Sequence, residues 1–309
     1  MYTMISTEGL SRRQWLDLRK TGIGGSDAGA ICGLNPFASP MSVYLDKTGS
    51  AGEDADSEAM RQGRDLEEYV ARRFMEAAGK KVRRSNRMYR SAEWPFMIAD
   101  VDRLVVGENA GLECKTASAY NADKWKNGEV PTHYLVQCHH YMAVTGKEAW
   151  YIAVVILGQG FQFAKISRDE ELIANLVTVE ERFWKDHVLV GKMPDPDGSK
   201  ACDEVLNRYF GRARKASSIP LIGFDEKLKR REELEALIGK LEREQRQIDQ
   251  EIKLYMKECE TAFTDHFRVN WTNVETERLD TKRLKSEEPR IYESFLKVTP
   301  SRRFTVKAA

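Results

Sequence analysis

The 309-residue chain contains no apolar run long enough to span a bilayer, and its first residues form no apolar signal segment. Both absences lead us to expect a soluble, intracellular protein. Cysteine is scarce and scattered: Cys32, Cys114, Cys138, Cys202 and Cys259 form no CxxC pair and no Cys/His cluster. That spacing argues against a zinc or iron–sulfur site, and an odd, dispersed set fits a reducing cytosol. Net charge is nearly absent as well, +1 from 49 Lys+Arg and 48 Asp+Glu. The balance hides strong local asymmetry, so it argues neither for nor against nucleic acid. There is no internal repeat and no low-complexity tract. What is present is 41% hydrophobic residues, enough for a real core, in a length that suits one large domain or a domain with an appendage.

The elements follow from periodicity and punctuation. Ser11 is the N-cap candidate of a helix starting at Arg12. The glycine-rich stretch at 22–25 turns helical near Ser26 or Asp27. Residues 35–40 read as a turn, 42–48 as a short helix closed by Gly49, and 50–57 as a mobile loop. Residues 58–78 form a helix with Met60, Leu66, Val70 and Phe74 on its apolar face and Gly79 as its stop. Residues 80–90 read as one basic strand, either a phosphate track or a solvated sheet edge. Residues 98–106 and 111–116 are two strands joined by a polar turn. The spacing of Tyr134, Cys138, Tyr141 and Met142 predicts a helix over 132–145. Residues 150–157 form a strand buried on both faces, 161–166 its neighbour across Gly158 and Gly160, and 170–188 a helix. Together these predict an α/β fold, a central mixed β-sheet flanked by helices.

A different pattern follows. Residues 193–222 are rich in turn formers and read as a linker. Over 223–262, Leu234, Ile238, Leu241, Ile248, Ile252, Tyr255 and Cys259 step by threes and fours, with Gln245 in the remaining slot of the seam. This is a long amphipathic helix with coiled-coil spacing. Residues 263–309 form a small α+β tail. The arm either packs back on its own domain or serves self-association or docking.

The chemistry centres on Asp102, Glu113 and Lys115. They sit in strands whose other residues are apolar, and burying two carboxylates and a lysine there is costly unless they pair or bind a cation. Two carboxylates attract Mg²⁺, and the lysine can steady developing charge or orient a water. An isolated acid-x-Lys is ordinarily a solvated strand face. Here an upstream aspartate, a preceding acidic helix and a following Gln/Tyr helix complete one layout.

That layout resembles the core of the PD-(D/E)XK nuclease superfamily. More narrowly, residues 9–190 resemble the YqaJ-type phage recombinase exonucleases, relatives of lambda exonuclease. The blocks that carry the resemblance come in order. Trp15 and Arg19 precede the run from Gly22 to Ala28. Then come Asn35 with Pro36, the run from Tyr44 to Gly49, Gly63 with Leu66 and Glu67, the Asp102/Glu113/Lys115 set, Gln137 with Tyr141, and Thr145 with Gly146. The resemblance implies a 5′→3′ exonuclease that leaves 3′ single-stranded overhangs for single-strand annealing. It implies Mg²⁺, or Mn²⁺, held by Asp102, Glu113, the Cys114 carbonyl and Glu67. Lys115 would act on the attacking water, Gln137 and Tyr141 would face the site from one helix face, and Arg19 with Ser26 would bind the 5′-phosphate of a DNA end. It also implies a phage or prophage origin, the cytoplasm of a bacterial host, an annealing partner of the RecT or beta kind, and ring trimers. Another nuclease of the superfamily, or a DNA-binding scaffold without activity, are the alternatives.

The sequence departs from the family in two places. Arg103 stands where glycine is common, and Asp100 where a small neutral residue is usual, so Asp100 is an alternative ligand. His133, His139 and His140 read as polar surface or satisfied core rather than metal ligands. Trp15, Trp94, Trp125 and Trp150 read as core, with one of them or Tyr120 a candidate wedge at the duplex end.

Overall fold

A computed structural model of the protein describes residues 1–50, 57–298 and 301–307. The loop expected at 50–57 therefore lies almost wholly outside the described residues. Two compact units divide the chain, residues 1–211 and 212–309. Among the described residues no helix is long and apolar enough to cross a membrane.

The first unit opens with β1 (Tyr2–Ser6), α1 (Arg12–Arg19), α2 (Gly25–Ile31) and α3 (Pro40–Lys47). Ser11 caps α1 in a reciprocal capping box with Gln14, as its position foretold. α3 begins two residues before the expected start, because Ser39 caps it and Pro40 takes the first turn, where its missing N–H costs nothing. α4 (Glu58–Ala78) ends at Gly79 in the left-handed conformation. Its inner face is Val70, Ala71 and Phe74, while Met60, expected inside, is exposed in the first turn.

The basic stretch 80–90 is not one strand. It breaks into β2 (Val82–Arg84) and β3 (Arg87–Ser91), which enter different sheets. Asn86 marks the break with a φ of 47°, a left-handed backbone that asparagine tolerates better than most residues. The stretch 98–106 divides in the same way. β4 (Ile98–Asp100) pairs with β3, whereas β5 (Arg103–Val105) pairs with β2 and β6 (Ala110–Ala117). Val101 and Asp102 occupy the junction where the two sheets part.

α5 (Thr132–Thr145), β7 (Ala149–Ile156), β8 (Gly160–Ser167), α6 (Glu170–Phe183) and α7 (Lys200–Tyr209) complete the unit. The larger sheet has the order β2-β5-β6-β7-β8 and is mixed: β6 and β7 are parallel and the other pairs antiparallel. A parallel pair needs a crossover, supplied here by a 3-10 helix (Ala119–Gly128) and α5. α5 packs on one face of β7 through Cys138, Tyr141 and Met142 against Trp150, Ile152 and Val154. α4 covers the other face, with Val70 and Phe74 against Leu112, Tyr151 and Ala153. The β6 alternation is thus resolved: Leu112 and Cys114 turn to α4, and Glu113 and Lys115 to α5. The stretch expected to be a linker contains α7, whose Cys202 and Val205 bury against Met41 and Leu45 of α3. Its turn-forming composition obscured this apolar face.

The second unit contains α8 (Asp225–Met256), the hairpin of β9 (Thr261–Phe263) with β10 (Arg268–Asn270), and α9 (Thr281–Glu287) and α10 (Pro289–Ser294). α8 stops before Cys259, so the last predicted member of its seam lies outside the helix.

Candidate active site

Asp102 lies at the junction of the sheets, where it makes no ladder pairing of its own. Its Oδ2 accepts the Cys114 backbone N–H at 2.8 Å, which ties the junction to β6. One residue before Cys114, Glu113 projects toward α5. Its Oε1 accepts Gln137 Nε2 at 2.7 Å and faces Lys115 Nζ at 2.7 Å. Its Oε2 is buried without a hydrogen-bond partner among the described residues. An orphaned carboxylate oxygen beside a second carboxylate is expensive unless a cation completes it.

The electrostatics point the same way. Burial, then the charges of Glu113 and Glu67, push the Asp102 carboxyl well above the usual carboxylate range. Lys115 is held above its ordinary value: burial opposes its charge, but Glu113, Tyr134 and Asp102 outweigh it. Its ammonium also lies 4.7 Å from the centre of the Tyr134 ring. The cluster thus holds a persistent cation and two acids that repel one another. Burial and the same two acids push the Tyr141 phenol well above its ordinary value, so it stays protonated.

Glu67 lies near Asp102, whose carboxyl its charge raises, and is also ion-paired. Arg103, buried in β5, bonds Glu67 through Nη1, Glu68 through Nη2 at 3.0 Å and the Asp102 carbonyl at 2.9 Å. The residue that departs from the family glycine therefore captures the acid expected to join the metal site. Among the described residues no three His, Cys, Asp or Glu side chains are gathered as a metal-holding group. The donors that fit a divalent cation are Asp102, Glu113 with its free Oε2, and the Cys114 carbonyl. Asp100 is engaged elsewhere: Trp15 Nε1 donates to its Oδ2 at 2.7 Å. Trp15, read as core, is thus a positioning group for that carboxylate, and Arg19 lies 4.9 Å over its ring.

The Arg19–Ser26 pair is formed. Arg19 Nη2 donates to Ser26 Oγ at 2.9 Å. Two residues of the matching sequence blocks that carried no expected role hold the pair in place. Asp27 Oδ2 accepts Lys47 Nζ at 2.6 Å and the Gly24 N–H at 2.8 Å, and its Oδ1 lies 3.7 Å from Arg19. Lys47 also donates to the Arg19 carbonyl at 3.1 Å. Burial opposes ionisation of Asp27, but Lys47 and Arg19 prevail and hold its carboxyl below the usual range. The signal available in the sequence was Lys47 itself, a lysine among the apolar residues of a short helix.

Tyr141 connects the two clusters. Its ring packs against Gly25, where a Cβ would come within 2.5 Å of it, and its hydroxyl accepts Gln137 Nε2 at 2.8 Å. Gln137 in turn holds Glu113. The histidines of α5 do structural work: His140 bridges Glu180 at 2.8 Å and the Ile98 carbonyl at 2.8 Å, and His139 bonds the Leu135 carbonyl. Trp125 and Trp150 are buried, whereas Tyr120 is fully exposed.

Residues 14–148 match the YqaJ-like viral recombinase domain. Over 302 residues the chain is 40% identical to the YqaJ protein of Bacillus subtilis strain 168, covering 96% of this chain and 95% of that one. Among solved structures it is similar to the alkaline exonuclease LHK-Exo of Laribacter hongkongensis, with a TM-score of 0.49 at 20% identity over 56% of this chain and 91% of that one. The complex of LHK-Exo with dAMP gives a TM-score of 0.50 at 18% identity, over 63% of this chain and 97% of that one, a likeness of fold. With identity of this degree along nearly its whole length, the chain belongs to the YqaJ-like viral recombinase family.

Proposed function

We propose that the chain is a metal-dependent exonuclease that digests one strand of linear duplex DNA from its 5′ end. The product is a 3′ single strand, passed in phage-type recombination to an annealing protein of the RecT or beta kind. The observation that carries this reading is the Glu113–Gln137–Tyr141–Gly25 chain of contacts, which sets the acid–lysine cluster beside the Arg19–Ser26 pair. Family membership and the fold shared with an alkaline exonuclease support it.

In this reading Asp102, Glu113 and the Cys114 carbonyl hold Mg²⁺ or Mn²⁺. When bound, the ion supplies Lewis acidity at the scissile phosphate and makes a water more acidic. The chain's own residues do the rest. Lys115, kept cationic by Glu113, stabilises the negative charge that builds on the phosphate oxygens. Gln137 fixes Glu113 Oε1 and leaves Oε2 for the cation. Arg19, braced by Asp27, offers a guanidinium to the terminal 5′-phosphate, and Ser26 adds a hydroxyl. A ring trimer of the kind lambda-type enzymes form would keep such an enzyme on its substrate.

The test is digestion of a linear duplex in Mg²⁺ with one 5′ end phosphorylated and the other bearing a hydroxyl. Wild type should consume the phosphorylated end first. Lys115→Ala should slow hydrolysis by about 10²–10³-fold, the scale of removing one charge-stabilising donor. Arg19→Ala should equalise the ends. Digestion without end preference discards the 5′-phosphate pocket, and an intact duplex with wild type discards the enzyme.

A further inference from the structure

Between Leu234 and Ile248, α8 presents an apolar seam that nothing among the described residues of its own unit covers. Leu234, Ile238, Leu241 and Ile248 are 43%, 53%, 65% and 52% exposed. A stripe of this spacing on a 32-residue helix matches the face of another helix. The charges beside the seam indicate which kind. Ile238, Gln245 and Ile252 take the a positions and Leu234, Leu241, Ile248 and Tyr255 the d positions. From Ile238 to the end of α8, the charged residues flanking the seam at e and g are Glu242, Glu244, Asp249 and Glu251, all acidic. The charged residues on the outer face are Lys240, Arg243, Arg246 and Lys253, all basic. Among the described residues the ion pairs of α8 lie in its first turns: Lys229 with Glu226, Arg230 with Glu233 and Arg231 with Glu235. Of the acids beside the seam, Glu251 accepts Gln247 Nε2 at 3.1 Å within the helix, and Glu242, Glu244 and Asp249 are left to a partner.

A second copy of α8 is a poor partner. In a parallel pair each g residue faces an e residue of the other helix. In an antiparallel pair g faces g and e faces e. Either arrangement sets acid against acid along the seam, which disfavours self-pairing. We propose that α8 is a docking helix for a different protein, one that presents an amphipathic heptad helix with Lys or Arg flanking its apolar seam. Gln245, polar at an a position, fixes the register by facing a polar side chain of that helix. This surface stands apart from the nuclease reading and does not rest on it.

The test uses the full chain and two synthetic four-heptad peptides. Both have the same Ile/Leu seam with Asn placed opposite Gln245; one carries Lys at e and g, the other Glu. Fluorescence anisotropy should give at least about tenfold tighter binding of the Lys-flanked peptide, weakening as salt rises. The variant Glu242→Lys/Glu244→Lys/Asp249→Lys/Glu251→Lys should invert that preference. Leu241→Ala/Ile248→Ala should abolish binding of the Lys-flanked peptide while far-ultraviolet circular dichroism keeps its helical signal. Equal binding of the two peptides, no binding of either, or a preference unmoved by charge reversal overturns the proposal. So does light scattering in which the wild type forms a larger assembly than Leu241→Ala/Ile248→Ala does, because the seam is then occupied by a second copy.

Discussion

The two units use similar residue types to opposite ends. In residues 1–211 apolar residues such as Ile23, Leu45, Phe74, Leu112 and Trp150 are packed away, and even ionisable groups such as Glu113, His140 and Glu180 are buried beside partners. In residues 212–309 Met256 is the one buried residue among the described residues, and Ile238, Leu241, Phe263 and Phe295 stand exposed. The difference lies in pattern. Strand alternation and continuous β runs find their complement within the same chain, because sheets and covering helices close on one another. A heptad seam finds its complement only in another helix, and the described residues of the second unit offer none of matching length. The first unit is therefore organised around a site, and the second around an interface.

This contrast can be broken at its strongest point by cutting the buried pair beneath α5. His140 links Glu180 on α6 to the Ile98 carbonyl of β4. His140→Ala leaves Glu180 buried and unpaired, and should cost about 3–5 kcal/mol. Differential scanning calorimetry should show the main transition falling by about 2–4 °C for each kcal/mol lost. Leu241→Ala/Ile248→Ala on α8 should move the same transition by no more than about 0.5 kcal/mol of stability, as for an exposed surface. Equal shifts would erase the distinction between the units.

A smaller effect sharpens the link between the two clusters of the first unit. A Cβ on Gly25 would lie 2.5 Å from the Tyr141 ring, and that ring packs against Trp150 and has little room to yield. Gly25→Ala should displace Tyr141 and loosen Gln137 from Glu113. Hydrolysis of a phosphorylated duplex should fall by about ten- to a hundredfold, the scale of small misplacements in a catalytic group. Unchanged kinetics would show that the contact does not position the site.

The smallest predicted effect is a titration. Burial, then the charges of Lys115 and Lys124, lower His133 to about 4. Its unfolded value is near 6.5, so between those limits the unfolded chain binds more protons. The contribution of His133 to stability is therefore fully present above about pH 6.5 and is lost as pH falls toward 4. Nuclear magnetic resonance should find its ring titrating near 4, and His133→Gln should flatten the acid limb of the stability curve. A ring that titrates near 6.5 would remove this contribution.

Much of the architecture was legible because it is encoded locally. The Gly79 stop, the Ser11 cap, the strand at 149–156 and the helix over 132–145 each depend on a few neighbouring residues and a short period. The alternation in β6 also placed Glu113 and Lys115 on one face. Three features were not legible. The stretches 80–90 and 98–106 each split between two sheets, and Asn86 alone hinted at the first break. α7 hid among turn formers. Arg103 was visible as an oddity, but nothing near it in sequence named Glu67 and Glu68 as its partners.

By itself, then, the sequence determined most of the elements, the acid–lysine set and the heptad helix with its segregated charges, since each is a matter of spacing along the chain. The tertiary structure decided that Asp102 falls at the parting of two sheets, that Arg103 captures Glu67, and that Asp27 and Lys47 brace Arg19. These are pairings between residues 8 to 36 positions apart. Which charged groups meet there depends on how strands and helices pack, and no local period records it.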